Sequence, residues 1–381
     1  MKHAIYYPPD KFSGGHNAAI SQVKGFAIIL MVLGHSGVHE PFANWIYTFH
    51  MPLFLMASGY FFNFKYLDDK RTFIKKRIKG LYWPLLKYIW FFILIRNILV
   101  ALHVESEPYG LMHTLRRMVT ALGLPLHERL ISVSWFVVDL FIASILVLLA
   151  FSAIRWLLRK IRGTSRSATG NMSNRVIVIT MIGFLTLGTL YSYHPLHDVR
   201  FAPHVLLSAT YFIAGMLLRR YEDSIRSSLG VKISVAIVLI YLATYLSIPI
   251  YTKLEVQGVM RLEMPLYFIL TIPITVAMFN MTSLLPGVIS KKLDWLGQNT
   301  MPVMMMHFSA FLLVTYAAIE FYGLDIDNML AFPVLGNSAQ YPWLWIVYTV
   351  VGLAIPLTVD CIYRQLKTVI KTKLTPATAE S

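Results

Sequence analysis

Ten apolar stretches, each about long enough to cross a bilayer as a helix, recur along this chain: near residues 20–39, 45–64, 81–102, 133–154, 176–192, 203–218, 233–250, 263–282, 300–320 and 342–363. In hydrocarbon every backbone amide needs an internal partner, so such stretches are stable as helices. Over 381 residues the chain is 56% hydrophobic and only 14% charged, with mean hydropathy +0.59, which excludes an ordinary soluble domain. The predicted fold class is all-α, a polytopic integral membrane protein of about ten transmembrane helices. Neither a repeat nor a low-complexity tract divides it, so residues 1–381 read as one membrane-embedded domain.

Charge sets the expected orientation. Of the 34 Lys and Arg residues, 26 fall on the termini and one alternate set of loops, 6 on the opposite loops, and Lys87 and Arg96 inside a span. Basic residues on short loops mark the cytoplasmic side, so both termini are expected there. The net charge of +15 then reports topology and contact with membrane lipid, and no nucleic-acid partner is expected. The polar, aromatic first twenty residues lack a cleavable leader pattern, so the first span is expected to stay in the protein. A single cysteine, Cys361, leaves no internal disulfide and no multi-cysteine metal site; no metal is expected.

Lys24 and His35 stand out because ionisable groups inside a bilayer are costly and tend to be functional. Eleven residues separate them, close to three helical turns, so they share one face with a rise of ~16 Å between them. His50 follows the start of the second span, which descends from the same surface after a short link, so its imidazole is expected at a similar depth. It either serves function or hydrogen-bonds a neighbouring helix. Asp139 is the one acidic residue well inside a span; it either orients an imidazole or pairs with Arg96 or Lys87. In the long connection 103–132, apolar residues at helical spacing suggest a helix lying on the membrane surface.

These stretches resemble a known family. Lys24-Gly-Phe-Ala-Ile-Ile-Leu-Met-Val-Leu-Gly-His35 is similar to the first-helix signature of the family-3 membrane acyltransferases, where a basic residue, usually Arg, precedes a characteristic His. Further agreement comes from Phe49-His-Met-Pro-Leu-Phe-Leu-Met-Ala-Ser-Gly-Tyr60, Phe73-Ile-Lys-Lys-Arg-Ile-Lys-Gly-Leu-Tyr-Trp-Pro84, Tyr211-Phe-Ile-Ala-Gly-Met-Leu-Leu-Arg219 and Leu296-Gly-Gln-Asn-Thr-Met-Pro-Val-Met-Met-Met-His307. The resemblance spans nearly the whole chain and leans toward the fucose 4-O-acetylase-like, polysaccharide O-acetyltransferase branch. Two departures stand out: Lys24 replaces the commoner Arg, and Ser134-Trp-Phe-Val-Val-Asp139 stands where some members carry a Glu pattern.

The resemblance implies a membrane O-acyltransferase of the plasma membrane (the bacterial inner membrane). It would move an acyl group, expected to be acetyl, from cytoplasmic acyl-CoA to a hydroxyl of a cell-surface sugar or lipid-linked glycan. Acetyl-CoA is then the co-substrate. His35 would be the general base, or carry an acyl-histidine intermediate, with Lys24 beside it in catalysis. Lys24, Lys76 and Arg77 would hold the donor's phosphates, and His307 would contact the donor. His50, Asp139 and Glu263 are the expected acceptor-side residues. A polytopic transporter or flippase of a glycan or lipid-linked intermediate is the alternative.

Overall fold

The computed structural model describes residues 17–124, 128–162, 172–193, 202–247, 263–336 and 339–374. Among the described residues there are helices and no strands. Six helical segments are long and apolar enough to cross a membrane: Ala18–His35, Arg129–Ile161, Asn174–Ser192, Met264–Met281, Thr300–Tyr322 and Leu344–Ile370. Side chains such as Ile179, Leu187, Leu190, Ile346 and Val350 project outward and exposed, as lipid-facing residues do.

Two of the ten expected spans are broken. The stretch 45–64 divides into Glu40–Tyr47 and His50–Tyr60. Thr48 donates its hydroxyl to the Trp45 and Asn44 carbonyls, and Pro52, without an N–H, fits the first turn of the helix that restarts. The stretch 81–102 opens with a π-helical turn, Ile78–Tyr82, just before Pro84, then divides into Trp83–Leu94 and Arg96–Ala101. A proline offers no proton to the preceding turn, so the ladder loosens there.

The first helix has defined ends. Asn17 caps it by accepting from the Ile20 amide at 3.1 Å. At the other end Ser36 donates to the Leu33 carbonyl, and Gly37, at φ +81°, turns the chain away. His35 therefore occupies the last helical residue.

Close backbone contact fixes what lies beside this helix. A β-carbon on Gly25 would overlap the Leu293 carbonyl, and one on Gly297 would overlap that of Ser21. The helix Gly287–Gln298 thus lies directly against Ala18–His35, and the following Thr300–Tyr322 returns along it. Gly59 and Gly215 similarly join His50–Tyr60 to Ala202–Arg220 through the Phe212 and Met56 carbonyls.

Far from Lys24 along the first helix, Arg96 is buried between two carboxylates, Glu105 at 3.1 Å and Glu128 at 3.4 Å, and Tyr109 donates to Glu128 at 3.0 Å. Arg129 donates to the Leu330 carbonyl at 2.8 Å and covers the Phe332 ring. The expected pairing of Asp139 with Arg96 is therefore corrected: acids on the connecting loops reach that guanidinium instead. The helix Leu111–Thr120 forms within the connection where helical spacing predicts one; Trp90 and Tyr82 donate to the Met118 and Leu122 carbonyls and tie it to Trp83–Leu94, while Leu111, Met112 and Val119 stay exposed.

Candidate active site

His35 meets a second histidine. Its Nδ1 lies 3.2 Å from Nε2 of His307, which is fully buried in Thr300–Tyr322. The ring planes are inclined by only 12°, with centroids 5.3 Å apart, so the N···N vector runs close to both planes, where ring hydrogens and lone pairs lie. The Nδ1 of His307 faces the Val303 carbonyl at 3.1 Å and the Met304 carbonyl at 3.0 Å. Phe308 and Tyr47 pack against His35, with centroids at 5.2 Å and 6.0 Å, and Tyr47 donates its hydroxyl to the Gly34 carbonyl at 2.6 Å. His35 itself stays half-buried.

A cavity of about 460 Å³ opens beside Lys24. Cations line one side of it: Lys24, Lys76 and Arg77. The remainder is mostly apolar, with Phe54, Phe136 and Leu140 on one wall and Met301 and Met304 on another. Lys24 is half-buried and makes no hydrogen bond or direct ion pair among the described residues; Asp294 supplies the opposing charge. Arg77 donates to Ser58 Oγ at 2.8 Å and lies over the Phe73 and Phe212 rings at 4.9 Å and 5.4 Å. Loss of water around its guanidinium holds it down at about 10, still protonated at neutral pH. Lys76 is exposed and donates to the Tyr66 hydroxyl at 3.0 Å.

Lys24 and His35 thus sit on one unbroken helix, but the cavity that touches Lys24 does not include His35 or His307. It ends at Met304, one helical turn before His307. Of the cations on the segment 70–79, Lys76 and Arg77 line the cavity with Lys24, while Lys70, Arg71, Lys75 and Lys79 are exposed and do not.

The remaining expected site residues spread apart. His50 is buried, with Nδ1 at 3.0 Å from the Ile46 carbonyl, and touches Tyr47 rather than His35. Asp139 is buried, and its Oδ2 finds no hydrogen-bond partner among the described residues; its neighbours Phe136, Val137 and Leu140 line the cavity while Asp139 does not. Glu263 begins the helix Glu263–Met281, and its side chain lies outside the described residues, as do Arg200, Lys253 and Arg261. Sequence reasoning missed Tyr47 and Tyr66 as neighbours of the site. Ser58, within the motif Phe49–Tyr60, also lines the cavity.

The family model for the acyltransferase domain matches residues 17–361. No curated protein and no solved structure matches the chain.

Proposed function

This chain belongs to the acyltransferase 3 family and is a membrane acyltransferase, and from that premise we propose that it is an O-acetyltransferase using acetyl-CoA. The observation that supports this reading most is the Lys24 ammonium, without a hydrogen bond among the described residues and opposed by Asp294, facing a cavity that Lys76 and Arg77 also line, on the same helix as His35. An anion has a prepared place there, and coenzyme A is polyanionic.

In this reading the donor's phosphates rest near Lys24, Lys76 and Arg77, at the cytoplasmic face to which the basic loops and both termini belong. The thin acylated arm extends along the first helix, whose rise from Lys24 to His35 is ~16 Å. Met304 closes the way, and its unbranched, flexible side chain is the part that yields. The acceptor, a sugar hydroxyl of a cell-surface or lipid-linked glycan, approaches His35 from the opposite end.

The chemistry balances through one proton. As the acceptor oxygen forms its bond to the thioester carbonyl carbon, its proton passes to a ring nitrogen of His35. The carbon–sulfur bond breaks, and the sulfur of coenzyme A takes that proton as it leaves. Ester and free thiol result, and the imidazole is restored. The fully buried His307 lies behind His35 and outside the donor cavity.

The test is transfer of label from radioactive acetyl-CoA into glycan by membranes carrying the protein. His35→Ala should abolish transfer while the protein remains in the membrane at wild-type amount. Undiminished transfer by that variant would remove His35 from the chemistry, and movement of glycan across the membrane with no label incorporated would favour a flippase.

A further inference from the structure

We infer that His307 is a positioning residue that holds the His35 ring in the tautomer whose lone pair lies on Nε2. The inference deepens the reading of His35 as base, and it replaces the expected role of His307 as a donor ligand.

One line of contacts fixes where the ring hydrogens lie. Two carbonyl oxygens, of Val303 and Met304, lie 3.1 Å and 3.0 Å from His307 Nδ1. Carbonyls only accept, so Nδ1 carries the hydrogen and shares it between them. In the neutral ring Nε2 then bears the lone pair. That lone pair faces His35 Nδ1 at 3.2 Å, and two facing lone pairs would repel, so His35 Nδ1 carries a hydrogen and donates it. His35 Nε2 is left unprotonated. The free nitrogen is thus defined by backbone carbonyls acting through a second imidazole.

A histidine base needs this because its two nitrogens do different work: the hydrogen bond made by one decides which is basic. The wrong tautomer presents N–H where a proton must be accepted. In hydrolytic triads a carboxylate fixes the ring; here a neutral imidazole takes the place of that charge. Phe308 and Tyr47 flank the His35 ring and oppose its rotation. His50 does not compete, since its own Nδ1 is engaged with the Ile46 carbonyl. When His35 takes the acceptor's proton on Nε2, Nδ1–H still donates to His307, so His307 keeps its protonation state through the cycle.

The test uses the full-length protein in lipid nanodiscs and in acceptor-containing membranes, comparing wild type with His307→Ala and His307→Gln. Gln can place an acceptor oxygen near the position of Nε2; Ala cannot. The maximal rate of label transfer from acetyl-CoA should fall by about 100-fold in His307→Ala, a typical general-base contribution. It should recover in large part in His307→Gln, with the half-saturating acetyl-CoA concentration nearly constant in both. Nitrogen NMR of histidine-labelled protein, with His35 signals identified by their loss in His35→Ala, should place the wild-type hydrogen on Nδ1, and His307→Ala should release it to both nitrogens. The inference is overturned by a wild-type hydrogen on Nε2, by an undiminished rate in His307→Ala, or by a raised half-saturating acetyl-CoA concentration at an unchanged rate. Should wild-type membranes transfer no label while NMR places the hydrogen on Nδ1, the acyl-transfer reading falls and the positioning of His35 by His307 stands.

Discussion

Replacing Lys24 by Met keeps the length of an apolar stem and removes one ammonium, which isolates the charge in the proposed donor site. Lys24 is half-buried on the cavity wall and holds no hydrogen bond among the described residues, so an incoming phosphate or thioester oxygen displaces no hydrogen-bond partner among them. A hydrogen bond to a charged group contributes about 1.5–3 kcal/mol. At about 1.4 kcal/mol per tenfold, Lys24→Met should weaken acetyl-CoA binding by roughly 10- to 150-fold. Asp294 opposes the same charge and pulls the effect toward the lower end. Lys76→Met should cost far less, a few-fold at most, because that ammonium is exposed and screened. The assay is equilibrium binding of acetyl-CoA to nanodisc-held protein over a range of salt, with thermal unfolding followed in parallel. Lys24→Met should bind weakly with a shallower salt dependence and unfold at an unchanged temperature. Wild-type affinity in that variant would refute the reasoning, and a lowered unfolding temperature with unchanged affinity would make Lys24 a structural partner of Asp294.

Other expectations follow from packing and buried charge. Met304→Trp should leave acetyl-CoA binding within a few-fold of wild type while suppressing label transfer, since the added bulk stands between the cavity and the histidine pair; equal loss of binding and transfer would contradict that placement. Gly297→Leu inserts a side chain against the Ser21 backbone and should destabilise by at least the ~1–3 kcal/mol of an overpacked core, read as a lower unfolding temperature in detergent. Arg96→Met leaves the buried Glu128 without its cation, while Arg129 at 3.7 Å remains beside Glu105, a loss of about 3–5 kcal/mol. It should lower the unfolding temperature while leaving acetyl-CoA affinity intact in the protein that remains folded.

Which parts of the site were legible depended on how local their cause was. Asn17 and Gly37 bracket a helix that carries Lys24 and His35 on one face, and all four residues are visible in a single stretch of sequence. The break in 45–64 was marked by Pro52, but the length of the apolar run concealed it. Arg96 was the hard case: its partners, Glu105 and Glu128, lie on connecting loops, while Asp139 offered itself as the only acid within a span. The amphipathic pattern at Leu111–Thr120 identified a helix, yet its ties to Trp90 and Tyr82 join residues far apart in the chain and carry no local pattern.

Sequence alone determined that this chain spans a membrane in helices and carries a cation and an imidazole on one inward stripe, because hydrophobic run length and helical period act over neighbouring residues. Only the tertiary structure decided that His35 faces His307, 272 positions away in the chain, and that the cavity at Lys24 stops at Met304. Both outcomes hang on the glycine contacts between Ala18–His35 and Gly287–Gln298, which set how closely two backbones approach and hence where the returning helix places its imidazole. No local period encodes that distance; it arises from the shape of both surfaces at once.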